Sequence, residues 1–244
     1  MKFTVGWLYS DLMNIYGDRG NILTLLKRAE WHGLEPKLIE LGRGASDQMQ
    51  DVDVFFFGGG QDREQALIYE DLRNHKQSQL ETAVDQGAQV LAVCGGYQLL
   101  GHYYQTADGQ KLDGIGLIDV RTDAGKRRSI GDVVVQTTIE GLTPSTLVGF
   151  ENHSGRTYLG PQAKPLGKIL RGKGNNGSDK TEGCVQGGVI GTYLHGSLLP
   201  KNPHLADYLI QRSLTRRGGA ELSHLDDSAE LAAHGWILER TQRH

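Results

Sequence analysis

The chain has 244 residues, with 26 Lys and Arg against 29 Asp and Glu; a net charge of -3 leaves no general basic field to hold nucleic acid or anionic lipid. Hydrophobic residues make up 38% and charged residues 23%, without a long polar tract, which excludes a disordered chain and a coiled coil. Two cysteines, Cys94 and Cys184, give neither a disulfide framework nor a CxxC metal site, so a special role for cysteine would be nucleophilic.

From the N-terminus, Met1-Lys2-Phe3 leads directly into a strand-like segment over residues 3–9, and no apolar run approaches the roughly 18 residues of a membrane span. A cytoplasmic protein with no membrane insertion is expected. Asn21, after Gly20, is a candidate cap for a helix whose face carries Ile22, Leu25, Leu26 and Ala29 and which stops at Gly33. Strands follow over 37–41 and 52–57, the second a continuous buried run that ends at Gly58-Gly59-Gly60. A helix over 63–86, broken near Asn74, leads to a strand over 89–93 that stops at Cys94.

Alternating strands and helices up to Gly101 predict a parallel sheet flanked by helices. After Gly101 short β-rich segments take over, at 117–120, 132–139, 146–151, 168–171 and 189–193, which predicts an antiparallel or mixed second half. Residues 172–188 hold six glycines among polar residues and suggest a mobile surface loop or a passive hairpin connection. Helices resume over 205–214 and 228–238. No repeat or linker divides the chain, so one α/β domain spanning 1–244 is expected.

The most informative window is Val93-Cys94-Gly95-Gly96-Tyr97-Gln98, a buried strand turning into a helix through a cysteine and two glycines. That is the pattern of a nucleophile elbow, in which a strained turn presents the nucleophile at the carboxyl end of a sheet and a Cβ on its neighbours would clash. The helix N-terminus behind it predicts a lowered thiol pKa. A buried structural cysteine is the alternative. A thiolate nucleophile needs a base, and of nine histidines His195, in Gly191-Thr192-Tyr193-Leu194-His195-Gly196, ends a short apolar strand and so belongs to the same rim. His153, in Glu151-Asn152-His153-Ser154-Gly155, is the runner-up.

These two motifs together resemble the class I glutamine amidotransferases of the cobyric-acid-synthase-like (CobB/CobQ) subgroup, in which a Cys-His pair hydrolyses glutamine to glutamate and ammonia. The resemblance extends, over nearly the whole chain, to the glutaminase-subunit branch of lipid II isoglutaminyl synthase. The segments Ser10-Asp11-Leu12-Met13-Asn14-Ile15-Tyr16-Gly17-Asp18, Gly58-Gly59-Gly60-Gln61-Asp62-Arg63-Glu64-Gln65 and Gly149-Phe150-Glu151-Asn152-His153, with the stretch near Arg128, carry it. It implies the class I amidotransferase fold, Cys94 as nucleophile, His195 as base and Arg128 as a contact to the substrate, whose planar α-carboxylate a guanidinium can grip bidentately. A solvated basic turn is the other reading of Lys126-Arg127-Arg128. The triglycine fits an oxyanion loop in which backbone N–H groups, of Gly60 and Gly95, meet the tetrahedral intermediate. Where ordinary class I members carry a histidine-orienting glutamate, two residues after the histidine, this chain has Ser197. Glu151 or a residue of a partner could take that place.

No G-x-x-x-x-G-K-[ST] phosphate loop is present, since Gly125-Lys126 lacks both the upstream glycine and the following hydroxyl. No cofactor is therefore expected in this chain, and ATP and Mg are expected on a partner. The resemblance supplies that partner: a Mur-ligase-like ATP-dependent subunit (MurT) that activates the α-carboxyl of the stem peptide's D-glutamate in lipid II. An amidase or cysteine peptidase on the same fold, or a non-catalytic glutamine-sensing module, stands beside this expectation.

Overall fold

The computed structural model describes residues 1–15, 17–219 and 221–242. The first half runs β1 (Lys2–Leu8), α1 (Arg19–Trp31), β2 (Glu35–Leu41), β3 (Val54–Phe57), α2 (Asp62–Asp71), α3 (Gln77–Asp85), β4 (Gln89–Val93) and α4 (Gly95–Leu100). The second runs β5 (Tyr103–Gln105), β6 (Lys111–Asp113), β7 (Val120–Thr137), β8 (Thr146–Leu159), β9 (Gly167–Arg171), β10 (Thr181–Glu182), β11 (Cys184–Gln186), β12 (Val189–Thr192), α5 (Leu198–Lys201), α6 (Pro203–Thr215) and α7 (Ser228–Gln242). Among the described residues no helix is long and apolar enough to cross a membrane.

The first sheet has the order β11-β12-β4-β3-β1-β2, parallel throughout except for the β11–β12 hairpin at its edge. Its central strands, Val-Phe-Phe-Phe in β3 and Gln-Val-Leu-Ala-Val in β4, are buried at every position because layers cover both faces. Truncating such a side chain, Phe56→Ala for instance, would cost about 3–5 kcal/mol. The second sheet has the order β10-β9-β7-β5-β6, with β8 added to β7 in a long antiparallel pair. The α/β class, the mostly parallel central sheet and the mixed β-rich second half expected from the sequence are all observed.

Several local expectations are corrected. The first helix starts at Arg19, two residues before its expected cap; Asn21 lies inside it and its side-chain oxygen accepts the distant Leu199 N–H at 2.9 Å. The break expected near Asn74 is a π turn over Leu72–Lys76, which turns Lys76 inward to donate to the Gly44 carbonyl and lie over the Tyr9 ring. Residues 189–193 belong to the parallel sheet: β12 pairs with β4, Thr192 opposite Val93. The basic stretch at 126–128 is no isolated turn but part of the 18-residue β7, at an irregularity where its register with β8 shifts between Ala124 and Ser129. Finally, 172–188 is not a plain surface loop: it forms β10 and β11 and buries Asn175, Glu182 and Cys184. Five of its six glycines have positive φ, so the polar composition reflects tight turning around buried side chains.

Candidate active site

β4 and β12 end side by side. Register places Val93 beside Thr192, and the Cys94 N–H donates to the Thr192 carbonyl at 2.9 Å, so Cys94 and His195 leave the sheet at the same rim. Cys94 has φ 51° and ψ -106°, a strained conformation for a residue with a Cβ, and α4 begins immediately after it. Gly96 has to be glycine: a Cβ there would sit 2.5 Å from the Phe57 carbonyl oxygen. This is the elbow expected from Cys94-Gly95-Gly96.

The triglycine fills the space between cysteine and histidine. A Cβ on Gly59 would meet His195 Cε1 at 3.3 Å, and one on Gly95 would lie 3.0 Å from the Gly60 nitrogen, so the Gly60 and Gly95 amides are neighbours at the elbow. His195 is itself fixed by a short antiparallel bridge to β8, donating its N–H to the Phe150 carbonyl at 2.8 Å and accepting from the Phe150 N–H at 3.3 Å.

In front of Cys94 lies a cavity of about 350 Å³, lined among others by Gly60, Gln65, Gln98, Tyr104, Arg128, Asn152 and His153. That is within the usual size of a small-molecule site. Arg128 reaches it from β7 and donates through Nε and Nη2 to the Asn152 side-chain oxygen, and through Nη2 to the Asn152 carbonyl, at 2.9–3.0 Å. The Arg128–Asn152 pair has no local signature, because 24 residues separate its members. Within the lining, Gln65 donates to Gln98, and Gln98 donates to the Tyr193 hydroxyl behind it. Gln98 and Gln65 stood in the quoted motifs but carried no assigned role. Among the described residues no group of three or more His, Cys, Asp or Glu side chains could hold a metal ion.

A model of the CobB/CobQ-like glutamine amidotransferase domain matches residues 4–203. The chain belongs to the CobB/CobQ-like glutamine amidotransferase family. It is 39% identical over 243 residues to the GatD subunit of the glutamine-hydrolyzing lipid II isoglutaminyl synthase of Staphylococcus aureus, covering 99% of this chain and 97% of that one. The GatD subunit of Streptococcus pneumoniae is 38% identical over 222 residues, covering 91% and 84%. Among solved structures, PurLQS from Thermotoga maritima superimposes with a TM-score of 0.60 at 16% identity, covering 90% of this chain and 100% of that one. A glutamine amidotransferase from the same organism gives 0.55 at 15% identity, covering 98% of each. At these identities the structural likeness concerns the fold.

Within this family member the electrostatics depart from one sequence expectation. The Cys94 thiol is pushed up to about 12, by burial first and then by the Asp18 carboxyl, against the opposing Gly95 N–H and the Arg128 charge. The expected lowering by the helix is outweighed because α4 has only six residues and the thiol is 7% exposed. His195, 1% exposed, is lowered to about 3 by burial, with the His153 and Arg128 charges adding to it. At neutral pH both groups are therefore uncharged, and although they leave the sheet at one rim, His195 is not among the residues that line the cavity in front of Cys94.

The other expected residues fall as follows. His153 lines the cavity, stacks on Tyr193 with ring centroids 3.7 Å apart, and donates through Nδ1 to the Gly155 carbonyl. Glu151, 2% exposed, points to the 172–174 turn: its oxygens accept the Lys173 and Gly174 N–H groups, and Oε2 lies 3.5 Å from His153 Nε2. Ser197 donates its hydroxyl to the Gly17 carbonyl at 2.5 Å. Tyr16, in the 10–18 motif, lies outside the described residues.

Proposed function

We propose that this chain is the glutaminase subunit of a lipid II isoglutaminyl synthase. Its similarity over nearly the full length to two GatD subunits carries the reading, and the geometry around Cys94 supports it. In the proposed reaction His195 takes the Cys94 proton as the sulfur attacks the side-chain carbonyl carbon of glutamine. The Gly60 and Gly95 N–H groups receive the developing oxyanion, where backbone donors that need no reorganisation are worth most. The tetrahedral species collapses to a γ-thioester and releases ammonia, with the proton held by His195 going to the leaving nitrogen. Water, deprotonated by the same imidazole, then cleaves the thioester to glutamate and frees the thiol. Arg128, with Asn152 bracing its guanidinium, holds the substrate α-carboxylate.

The ammonia passes to a Mur-ligase-like ATP-dependent partner (MurT), which activates the α-carboxyl of D-glutamate in lipid II with ATP and Mg and yields D-isoglutamine. Both subunits work in the cytoplasm, and this chain contributes no cofactor. Glutamate and ammonia release from glutamine, assayed with the chain alone and with the ligase subunit, tests the reading. No glutamate from either preparation would refute it.

A further inference from the structure

Asp18 occupies the residue before α1, where an aspartate ordinarily caps its own helix through N–H groups one turn ahead. Here no side-chain cap bond is made. The fully buried carboxyl turns instead to the triglycine, and its Oδ2 accepts the Gly59 N–H at 2.6 Å. On the other side of the same peptide unit, the Gly58 carbonyl accepts the Gly96 N–H at 3.1 Å. Because a trans peptide is planar, with its C=O and N–H pointing opposite ways, these two bonds clamp one rigid plate between the 13–18 segment and the elbow helix.

The packing leaves that plate little freedom. A Cβ on Gly58 would lie 2.2 Å from the Met13 carbonyl oxygen and 2.8 Å from Asp18 Oδ2, and one on Gly60 would lie 2.2 Å from Met13 Sδ. The Gly59 Cα faces His195 on one flank, and the next amide, that of Gly60, faces Gly95. A rotation of the 58–59 plate would therefore swing the Gly60 N–H.

We infer that Asp18 is a positioning residue: by accepting the Gly59 N–H it fixes the 58–59 peptide and so aims the Gly60 amide at the carbonyl oxygen of the acyl group attacked by Cys94. The inference rests on the glutaminase reading above. Burial raises the Asp18 carboxyl to about 7, opposed by the Gly59 and Ile15 N–H groups, yet it accepts the Gly59 hydrogen in either protonation state. An asparagine oxygen can do the same.

The test compares wild type, Asp18→Asn and Asp18→Ala in the full chain with its ligase subunit, reading kcat and KM for glutamine hydrolysis together with the rate of Cys94 alkylation by iodoacetamide. Alkylation is displacement at a saturated carbon and builds no oxyanion, so damage to the elbow slows both reactions and a misaimed amide slows only hydrolysis. Asp18→Ala is expected to lower kcat about 10- to 100-fold, short of the roughly 100- to 1,000-fold lost when such a donor is removed outright. Its KM should stay within about threefold and its alkylation should not slow, since losing the Asp18 carboxyl that raises the Cys94 thiol favours the thiolate, and Asp18→Asn should keep a kcat within about threefold of wild type. A wild-type kcat in Asp18→Ala, a parallel fall in alkylation, or an Asn variant as slow as the Ala variant would each overturn the proposal. Should Asp18→Ala not fold, Asp18→Val replaces it, filling more of the vacated space without an acceptor. The Asn variant also decides by itself, because a kcat loss beyond tenfold there removes the acceptor role. A wild-type complex that releases no glutamate would refute the glutaminase reading itself, a separate outcome.

Discussion

The two sheets meet at the cavity with opposite characters. From the parallel sheet come backbone groups and buried atoms: Cys94 in a strained turn, the Gly60 and Gly95 amides, and an imidazole held behind the triglycine. From the second sheet come longer polar side chains, Arg128 and Asn152, carried on the long β7–β8 pair where their register shifts. Bond making needs atoms fixed to a fraction of an ångström, which glycine packing and strand register supply. Recognition of a carboxylate needs a charged fork at an open rim, and there a side chain can adjust.

The sharpest way to break this contrast is to remove the groups on the parallel-sheet side. Cys94→Ala is expected to lower glutamine hydrolysis at least about a thousandfold while the fold persists, and His195→Ala should fall comparably. Because nucleophile and base act as a unit, the double variant should be no slower than either single one. Steady-state glutamate release measures all three, and a double variant far below both singles would assign the two residues independent roles. Amidation by the proposed ligase partner, driven by added ammonium, should survive in each, since that step would not use this thiol.

On the second sheet the expected effect is smaller and of a different kind. Arg128→Lys keeps the charge but loses the planar fork and its bonds to Asn152, so kcat/KM for glutamine should fall about 10- to 100-fold, mostly through KM. An unchanged KM would return Arg128 to the role of a basic strand residue.

The same contrast governs what could be read from the sequence. The elbow was legible because everything it needs is contiguous: an apolar strand, Cys94, two glycines and an amphipathic helix. The shared rim of Cys94 and His195 followed from two strands that both end at a polar residue. By comparison, over residues 120–129 the β7–β8 register depends on partners 24 or more residues away, so a solvated turn stood as one reading of Lys126-Arg127-Arg128 and the Arg128–Asn152 pair was invisible. Asn21 misled for a related reason. Its local preference is to cap a helix, but a long-range partner, the Leu199 amide, takes its side chain instead, as the Gly59 amide takes that of Asp18. The glycines of 172–188 signalled turning, and nothing local shows that Asn175, Glu182 and Cys184 point inward.

Burial on the parallel-sheet side also predicts a pH signature. His195 falls to about 3 on folding from an ordinary 6.5, so between those values the unfolded chain binds more protons and stability rises with pH. Its contribution is complete above 6.5 and is lost as the pH falls towards 3. Asp18 and Glu182, both raised to about 7 by burial, act in the opposite sense, adding stability at low pH that is lost as pH rises through 7. The wild-type curve mixes the two, and a variant separates them. Relative to wild type, His195→Gln should gain roughly 2–3 kcal/mol between pH 7 and pH 4, read by urea unfolding at each pH. A difference that stays constant across that range would show that His195 ionises in the fold as it does in water.

The smallest effect expected concerns the acid that orients the histidine, and it links the two sheets. Ser197 stands where other class I members carry a glutamate, and its hydroxyl is turned to the Gly17 carbonyl. Glu151 is the candidate within the chain, since it lies on β8 next to Phe150, which bridges His195. Its carboxylate, however, is engaged by the Lys173 and Gly174 amides and faces His153. Glu151→Gln keeps one acceptor oxygen for that turn, so one of the two N–H bonds is lost and the other becomes neutral, which should lower stability by about 1–3 kcal/mol and change glutamine hydrolysis less than fivefold. A carboxylate brought by the ligase subunit would then orient His195, and hydrolysis by the complex should exceed that of the isolated chain. Steady-state rates of the isolated chain and the complex, each with and without Glu151→Gln, separate the cases. If the isolated chain matches the complex and the variant cripples both, Glu151 is the third member of the triad and the two sheets share the chemistry.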